Sequence, residues 1–224
     1  MRGVILAGGN GTRLRPLTHI ANKHLLPIYN KPMILYPLET LKSFGIKDVL
    51  VVSGGEHIGV FAEFLGDGSN YGLNLTFKVQ MEAGGIAQAL LLAEDFVDGQ
   101  FAVILGDNIF ENTINVPKSC GLVLKEVSDP ERFGVFFNGN IEEKPQKPKS
   151  KLVVTGLYFY TPEVFNFIRK LKPSKRGELE ITDVNNWCLR NLKTETIIHK
   201  GFWSDAGTFN SLLACNQWAS RLQK

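Results

Sequence analysis

The sequence predicts an α/β fold: a doubly wound, mostly parallel, Rossmann-like sheet with small β additions in its second half. Three observations carry this expectation. Short β-branched apolar runs alternate with longer amphipathic segments, the rhythm of strand, helix, strand. The runs are nearly continuous in apolar residues, as strands covered on both faces are. A glycine-rich stretch follows the first run directly, where a doubly wound sheet opens its ligand crevice.

The strands are expected at Val4-Ile5-Leu6, Val49 to Val52, Leu75 to Val79 and Ala102 to Leu105. Between them, Ile34, Leu38 and Leu41 share a helical face, with Gly45 as its stop. Ile58, Phe61, Phe64 and Leu65 form a second stripe, and Ile86, Leu90 and Ala93 a third. In the second half, Gly121 to Val127, Phe133 to Phe137 and Leu152 to Tyr160 read as strands that extend the sheet or form a small lid. A helix is expected from Thr161-Pro162, with threonine as cap and proline at the first position, and another over Leu179 to Leu192. No linker or repeat interrupts the 224 residues, so one domain is expected, with a first part to about residue 110 and a second part beyond it.

Composition excludes several classes. Hydrophobic residues make up 44% and charged residues 21%, so a sizeable core can form. A net charge of +3 is too mild for a nucleic-acid binder. No apolar run approaches the ~20 residues of a membrane span. Cys120, Cys188 and Cys215 are scattered, which fits reduced thiols and a cytoplasmic location better than a disulfide framework or a zinc site. The first apolar run is too short for a signal segment. Apolar segments near Trp187, Phe202 and Trp218 suit either the core or a homo-oligomer contact.

The most informative stretch is Leu6-Ala7-Gly8-Gly9-Asn10-Gly11-Thr12-Arg13-Leu14-Arg15-Pro16. Glycines there let backbone N–H groups approach an anion. A dinucleotide fingerprint fails because Leu14 occupies the third glycine position, and no P-loop spacing occurs. Arg13, Arg15 and Lys23 follow closely and suit a polyphosphate; taken singly, they read equally as surface cations around a tight turn.

Gly8 to Leu14, with Asn22-Lys23-His24-Leu25-Leu26-Pro27 and Lys31-Pro32-Met33, resembles the signature of glucose-1-phosphate thymidylyltransferases. The resemblance continues through Gly85-Ile86-Ala87-Gln88-Ala89, Leu105-Gly106-Asp107-Asn108, Glu142-Glu143-Lys144-Pro145, Gly177-Glu178-Leu179-Glu180-Ile181-Thr182-Asp183 and Asp205-Ala206-Gly207-Thr208. It spans nearly the whole chain, in order. It implies a nucleotidyltransferase fold that passes a nucleotidyl group from dTTP to glucose 1-phosphate, giving dTDP-glucose and pyrophosphate by magnesium-assisted in-line displacement. Small-molecule partners are implied, without nucleic acid or membrane.

By the same resemblance, Arg13, Lys23, Asp107 and Lys144 are the catalytic set. Leu6, Gly8, Gly9, Gly11, Thr12, Arg13, Lys23, Gln80, Gly85 and Asp107 bind the nucleotide. Gly134, Glu143, Lys144, Val154 and Glu178 bind the sugar phosphate, and Asp107 and Asp205 hold Mg2+. The chemistry of each assignment is sensible. Two carboxylates with phosphate oxygens and waters suit magnesium. A glutamine amide offers the donor and acceptor that an imide base edge needs. Alone, Asp205 reads equally as a helix N-cap, and Glu178 as a residue of a helix's first turn.

Some positions depart from the longer members of the family. His24 stands where they carry glutamine, Phe133 replaces a tyrosine, and Met81 to Gly84 differs in the base-side loop. The stretch from Phe110 to Gly121 is short, and the C-terminal helices that shape a regulatory product site are not expected. The resemblance is thus to a compact form. UTP, CTP or another sugar 1-phosphate is the main alternative, and a non-catalytic nucleotide-binding subunit a remote one.

Overall fold

The computed structural model describes residues 1–111 and 114–222; Asn112 and Thr113, inside the short stretch after Phe110, lie outside the described residues. In chain order the elements are β1 (Arg2–Leu6), β2 (Pro27–Ile28), β3 (Lys31–Pro32), α1 (Leu35–Ser43), β4 (Asp48–Gly54), α2 (Gly55–Leu65), β5 (Asn74–Gln80), α3 (Ile86–Leu91), β6 (Phe101–Leu105) and β7 (Asn108–Phe110). There follow β8 (Cys120–Glu126), β9 (Gly134–Phe137), β10 (Asn140–Glu143), β11 (Leu152–Tyr160), α4 (Glu163–Ile168), α5 (Ile181–Asn191), β12 (Thr194–Ile198), β13 (Trp203–Asp205) and α6 (Phe209–Arg221). The fold is mixed α/β on a mostly parallel central sheet, as the alternation of runs predicts. No helix among the described residues is long and apolar enough to cross a membrane.

The chain forms two compact units. The first comprises Gly3–Glu82, Ile104–Asn112 and Gly201–Lys224. Here β1 runs parallel to β4, and β4 parallel to β5. Val4, Ile5 and Val49 to Val52 are fully buried, which explains their unbroken apolar runs. A Cβ on Gly3 would lie 2.8 Å from Leu41, so glycine is what lets α1 pack this closely on β1. Gly45, at φ 74°, ends α1 as expected. Phe64, expected on the buried face of α2, is half-exposed; Phe61 and Leu65 alone anchor that helix.

A second core in this unit was less legible. Strands β7 and β13 pair antiparallel, and Leu14, Leu26, Ile28, Met33, Ile109, Ala206 and Cys215 close around them. Trp218 of α6 and Phe202 stack at 4.6 Å beside this cluster. Thr208 and Ser211 cap α6 reciprocally, which frees Asp205 from a capping role.

The second unit comprises Met1–Arg2, Ala83–Val103 and Thr113–Lys200. In it β8 pairs antiparallel with β11 and parallel with β12, while β9 pairs antiparallel with β10 and β11. Strand β10 falls in a segment too polar to register as a strand; Asn138 and Gly139, both at positive φ, turn it back on β9. Phe101 stacks on Phe165 at 5.6 Å, and Trp187 on Phe167 at 5.0 Å. Helix α4 corrects the expected cap: it begins at Glu163, Pro162 flanks it, and no side chain caps it. The Thr161 hydroxyl instead lies 3.6 Å from Cys120 Sγ.

His24 shows how buried polarity is managed in the first unit. Asn22 Oδ1 accepts from the His24 backbone N–H at 2.9 Å and from ring Nδ1 at 2.8 Å. A carbonyl oxygen only accepts, so this bond fixes the proton on Nδ1. The imidazole edge lies against Gly106, where a Cβ would come within 2.8 Å of it. Burial, and then the neighbouring Lys23 ammonium, lower its pKa from 6.5 to about 3. The unfolded chain takes a proton on this ring at higher pH than the folded one. The stability His24 contributes is therefore full above about 6.5 and is lost as pH falls toward about 3. His24→Gln removes this titration. Thermal unfolding followed across that window should show the variant losing less Tm than the wild type; identical slopes of Tm against pH would contradict the assignment.

Candidate active site

In the first unit the glycine loop leaves the carboxyl end of β1. Gly106 N–H donates to Leu6 O at 3.0 Å, which brings the turn carrying Asp107 beside the loop. Gly9 adopts φ 97° and Gly11 φ 57°, conformations that side chains resist. A Cβ on Gly11 would lie 3.1 Å from Lys23 Cβ, so the loop passes tightly over that residue. A Cβ on Gly8 would lie 3.0 Å from Gln80 Oε1, at the end of β5. Leu6 itself is core. Thr12 and Arg13 are exposed in a single 3-10 turn.

Four charged side chains beside the loop form two ion pairs. Lys23 Nζ donates to Asp107 Oδ2 at 2.6 Å, both side chains being largely buried. Asn108 Nδ2 donates to the other Asp107 oxygen at 3.0 Å, and Trp203 Nε1 orients Asn108 by donating to its Oδ1 at 2.8 Å. Burial works against the Asp107 charge, yet the Lys23 ammonium and these hydrogen bonds outweigh it and hold the carboxyl well below the usual range. Asp205 stands opposite Asn108 in the β7–β13 ladder, and Ala206 N–H donates to Asp107 O at 2.8 Å. Two aspartates about 100 residues apart in sequence thus become neighbours through one strand pairing. Arg13 reaches Asp205 at 4.0 Å while remaining 61% exposed. Gly207 makes room for it, since a Cβ there would lie 2.8 Å from the guanidinium.

A second polar group lies in the second unit. Gly134 is opposite Glu143 in the β9–β10 ladder. The missing Cβ leaves space that the Glu143 carboxylate and the Thr182 hydroxyl border, each 3.5 Å from where it would be. Thr182 donates to Glu143 Oε2 at 2.5 Å. Lys144, at φ 44°, is held by its N–H bond to Phe133 O at 3.0 Å, and its Nζ is 3.5 Å from Glu143. Such a conformation for a non-glycine residue marks a position fixed by its surroundings. Arg176 fans across three carboxylates, at 2.6 Å from Glu180, 3.7 Å from Glu178 and 3.9 Å from Glu143. Val154 is buried in β11 opposite Leu124. Glu178 precedes α5 rather than opening it, so the dipole reading of that residue falls away.

The structure therefore brings together Leu6, Gly8, Gly9, Gly11, Thr12, Arg13, Lys23, Gln80, Asp107 and Asp205 in one unit, and Gly134, Glu143, Lys144, Val154 and Glu178 in the other. Gly85, expected with the nucleotide set, belongs to the second unit; its backbone abuts Leu179 and Glu178, a Cβ there falling 2.6 Å from Leu179 O. Asn22, Asn108, Thr182 and Arg176 were not singled out. Their polarity is ordinary in sequence; Asn108, Thr182 and Arg176 gain meaning through Trp203 and Glu143 far along the chain, and Asn22 through the buried ring two residues on.

The model of the family described as nucleotidyl transferase matches residues 2–221. A Neisseria gonorrhoeae protein named glucose-1-phosphate thymidylyltransferase is 46% identical over 95% of this chain and 80% of its own length. A Neisseria meningitidis protein of the same name is 44% identical over the same shares. A Bacillus anthracis structure described under that enzyme name, in complex with a sucrose, superposes with a TM-score of 0.91 at 48% identity, covering 98% of this chain and 95% of that one. The chain belongs to the nucleotidyl transferase family and, within it, is similar to the glucose-1-phosphate thymidylyltransferases.

Proposed function

We propose that this chain transfers a thymidylyl group from dTTP to glucose 1-phosphate, giving dTDP-glucose and pyrophosphate, as a single nucleotidyltransferase domain working in the cytoplasm. The observation that carries the reading is the Lys23–Asp107 and Arg13–Asp205 pairing beside the glycine loop. Relatives at 44–46% identity bear the corresponding enzyme name. Three free, buried cysteines are in keeping with a reducing compartment.

In this reading an oxygen of the sugar phosphate forms a bond to the α-phosphorus of dTTP. The α–β bridging bond breaks, and pyrophosphate leaves with the electron pair. No enzyme-bound intermediate is needed. Catalysis is alignment of two anions and neutralisation of charge. Arg13 is exposed and free to swing from Asp205 onto the triphosphate. Lys23 bridges Asp107 and a phosphate oxygen. Backbone N–H groups of Gly8 to Thr12 line the phosphates, and the Gln80 amide meets the base edge. Lys144 binds the sugar phosphate, and Glu143 accepts from sugar hydroxyls, its second oxygen fixed by Thr182.

The donor set fits magnesium. Asp107, in the turn just before β7, and Asp205, on the paired strand β13, offer hard carboxylate oxygens. No group of three or more protein ligands occurs among the described residues, so phosphate oxygens and waters would complete the shell, the usual arrangement for this ion. Bound there, magnesium supplies charge neutralisation at the transferring phosphoryl.

Two measurements test the reading. Purified protein with Mg2+ is offered dTTP, UTP and CTP against a panel of sugar 1-phosphates, and pyrophosphate release is followed. dTTP with glucose 1-phosphate should be the best pair. UTP, which lacks the methyl and carries a 2′-hydroxyl, should follow it, since losing one methyl costs only ~1–3 kcal/mol in an apolar pocket. Release with no pair refutes the proposal. Asp107→Asn should lower kcat by about 10²-fold or more, with Tm also lowered because Lys23 loses its buried partner; near-normal turnover at saturating Mg2+ would remove Asp107 from the metal set.

A further inference from the structure

Gln88 lies on α3 and has no part in the chemistry just described. Its side chain folds back on the turn before the helix. Gly84 N–H donates to Gln88 Oε1 at 2.9 Å. A Cβ on Gly84 would sit 2.4 Å from Gln88 Cδ and Nε2, so the amide lies directly on the bare glycine backbone. The same turn is tied to the segment that carries Glu178. Leu179 N–H donates to Gly84 O at 2.8 Å, and Ala87 N–H to Leu179 O at 3.3 Å. Between these bonds, Gly85 is pressed against Glu178, a Cβ there falling 3.0 Å from Glu178 Cβ. Glu178 O in turn accepts from Ser174 N–H at 2.9 Å.

One short chain of contacts thus runs from the Gln88 amide through Gly84 and Leu179 to Glu178, all within the second unit. Gly85 is assigned to the nucleotide and Glu178 to the sugar. A ligand that pulls on the Gly85 backbone shifts Gly84, whose carbonyl holds the residue next to Glu178. The links are directed hydrogen bonds and close packing, and the Gln88 acceptor stiffens the turn at Gly84, so movement at one end is passed toward the other.

We propose that Gln88 is a positioning residue that keys the Gly84–Gly85 turn to Glu178, so that binding of either substrate tightens binding of the other. The inference rests on the function proposed above. By linkage the effect is reciprocal, and a coupling of this kind is typically about 5–150-fold.

The test is equilibrium binding of an α,β-methylene analogue of dTTP, which cannot transfer its nucleotidyl group, by titration calorimetry with and without saturating glucose 1-phosphate. In the wild type the sugar phosphate should tighten the analogue by at least about fivefold. Gln88→Met keeps the length and loses the acceptor, and should bring that ratio near one. Gln88→Glu keeps an acceptor oxygen and should retain it. A side chain that serves only as filling would leave the ratio unchanged in both variants. Should Gln88→Met not fold, Gln88→Asn, too short to reach Gly84, carries the same expectation. A wild-type ratio of one, or an equal ratio in the wild type and Gln88→Met, overturns the inference. Absence of turnover with every substrate pair would instead overturn the function it rests on, so the two failures are distinguishable.

Discussion

The interaction on which the proposed phosphate side depends is the ion pair between Lys23 and Asp107. Both side chains are mostly withdrawn from water, at 14% and 12% exposure. Desolvating two charges costs several kcal/mol per ion, and their attraction offsets this only when geometry and further hydrogen bonds are good. Here they are: Asn108 takes the second carboxylate oxygen, and Trp203 fixes Asn108. Removing one partner of such a pair typically costs about 3–5 kcal/mol. Local structure serves the same end. Asn22 shapes the turn that presents Lys23, and the neutral His24 ring underlies Gly106, so neither charge can move without disturbing packed neighbours.

The pair is also poised for function. An aspartate held as an anion by an ammonium remains ready to share its charge with a cation. The ammonium has further donors for a phosphate. Arg13 and Asp205 repeat the logic in a looser form, at 4.0 Å and with the arginine exposed. One pair is thus tight and structural, the other open and adaptable. The glycine loop above them offers backbone N–H groups at positions where a side chain would intrude.

Much of the fold was legible because its signals are local. Apolar runs marked β1, β4, β5 and β6, and glycines marked their ends. The candidate site was legible in part, through a motif whose glycines and cations are contiguous. Much of what escaped depends on partners distant in sequence. Strands β7 and β13 are three residues each, too short for a periodic pattern, and exist because residues 108–110 meet 203–205. Thr182 and Arg176 are common polar residues that only the fold brings to Glu143; the Gln88 amide meets Gly84 four residues away, a local contact that no sequence pattern announces. Gly85 was assigned by motif to the nucleotide, and its contact with Glu178 is equally a product of tertiary structure.

That the carboxylates of Asp107 and Asp205 share one cation beside a triphosphate is the central claim. It is tested most directly by crystals grown with dTTP and Mn2+, using the anomalous signal of manganese. The account requires a single strong peak with oxygen ligands from Asp107, Asp205 and the triphosphate, and with Lys23 and Arg13 on phosphate oxygens. A peak coordinated by neither aspartate, or a triphosphate lying away from Gly8 to Arg13, would contradict it.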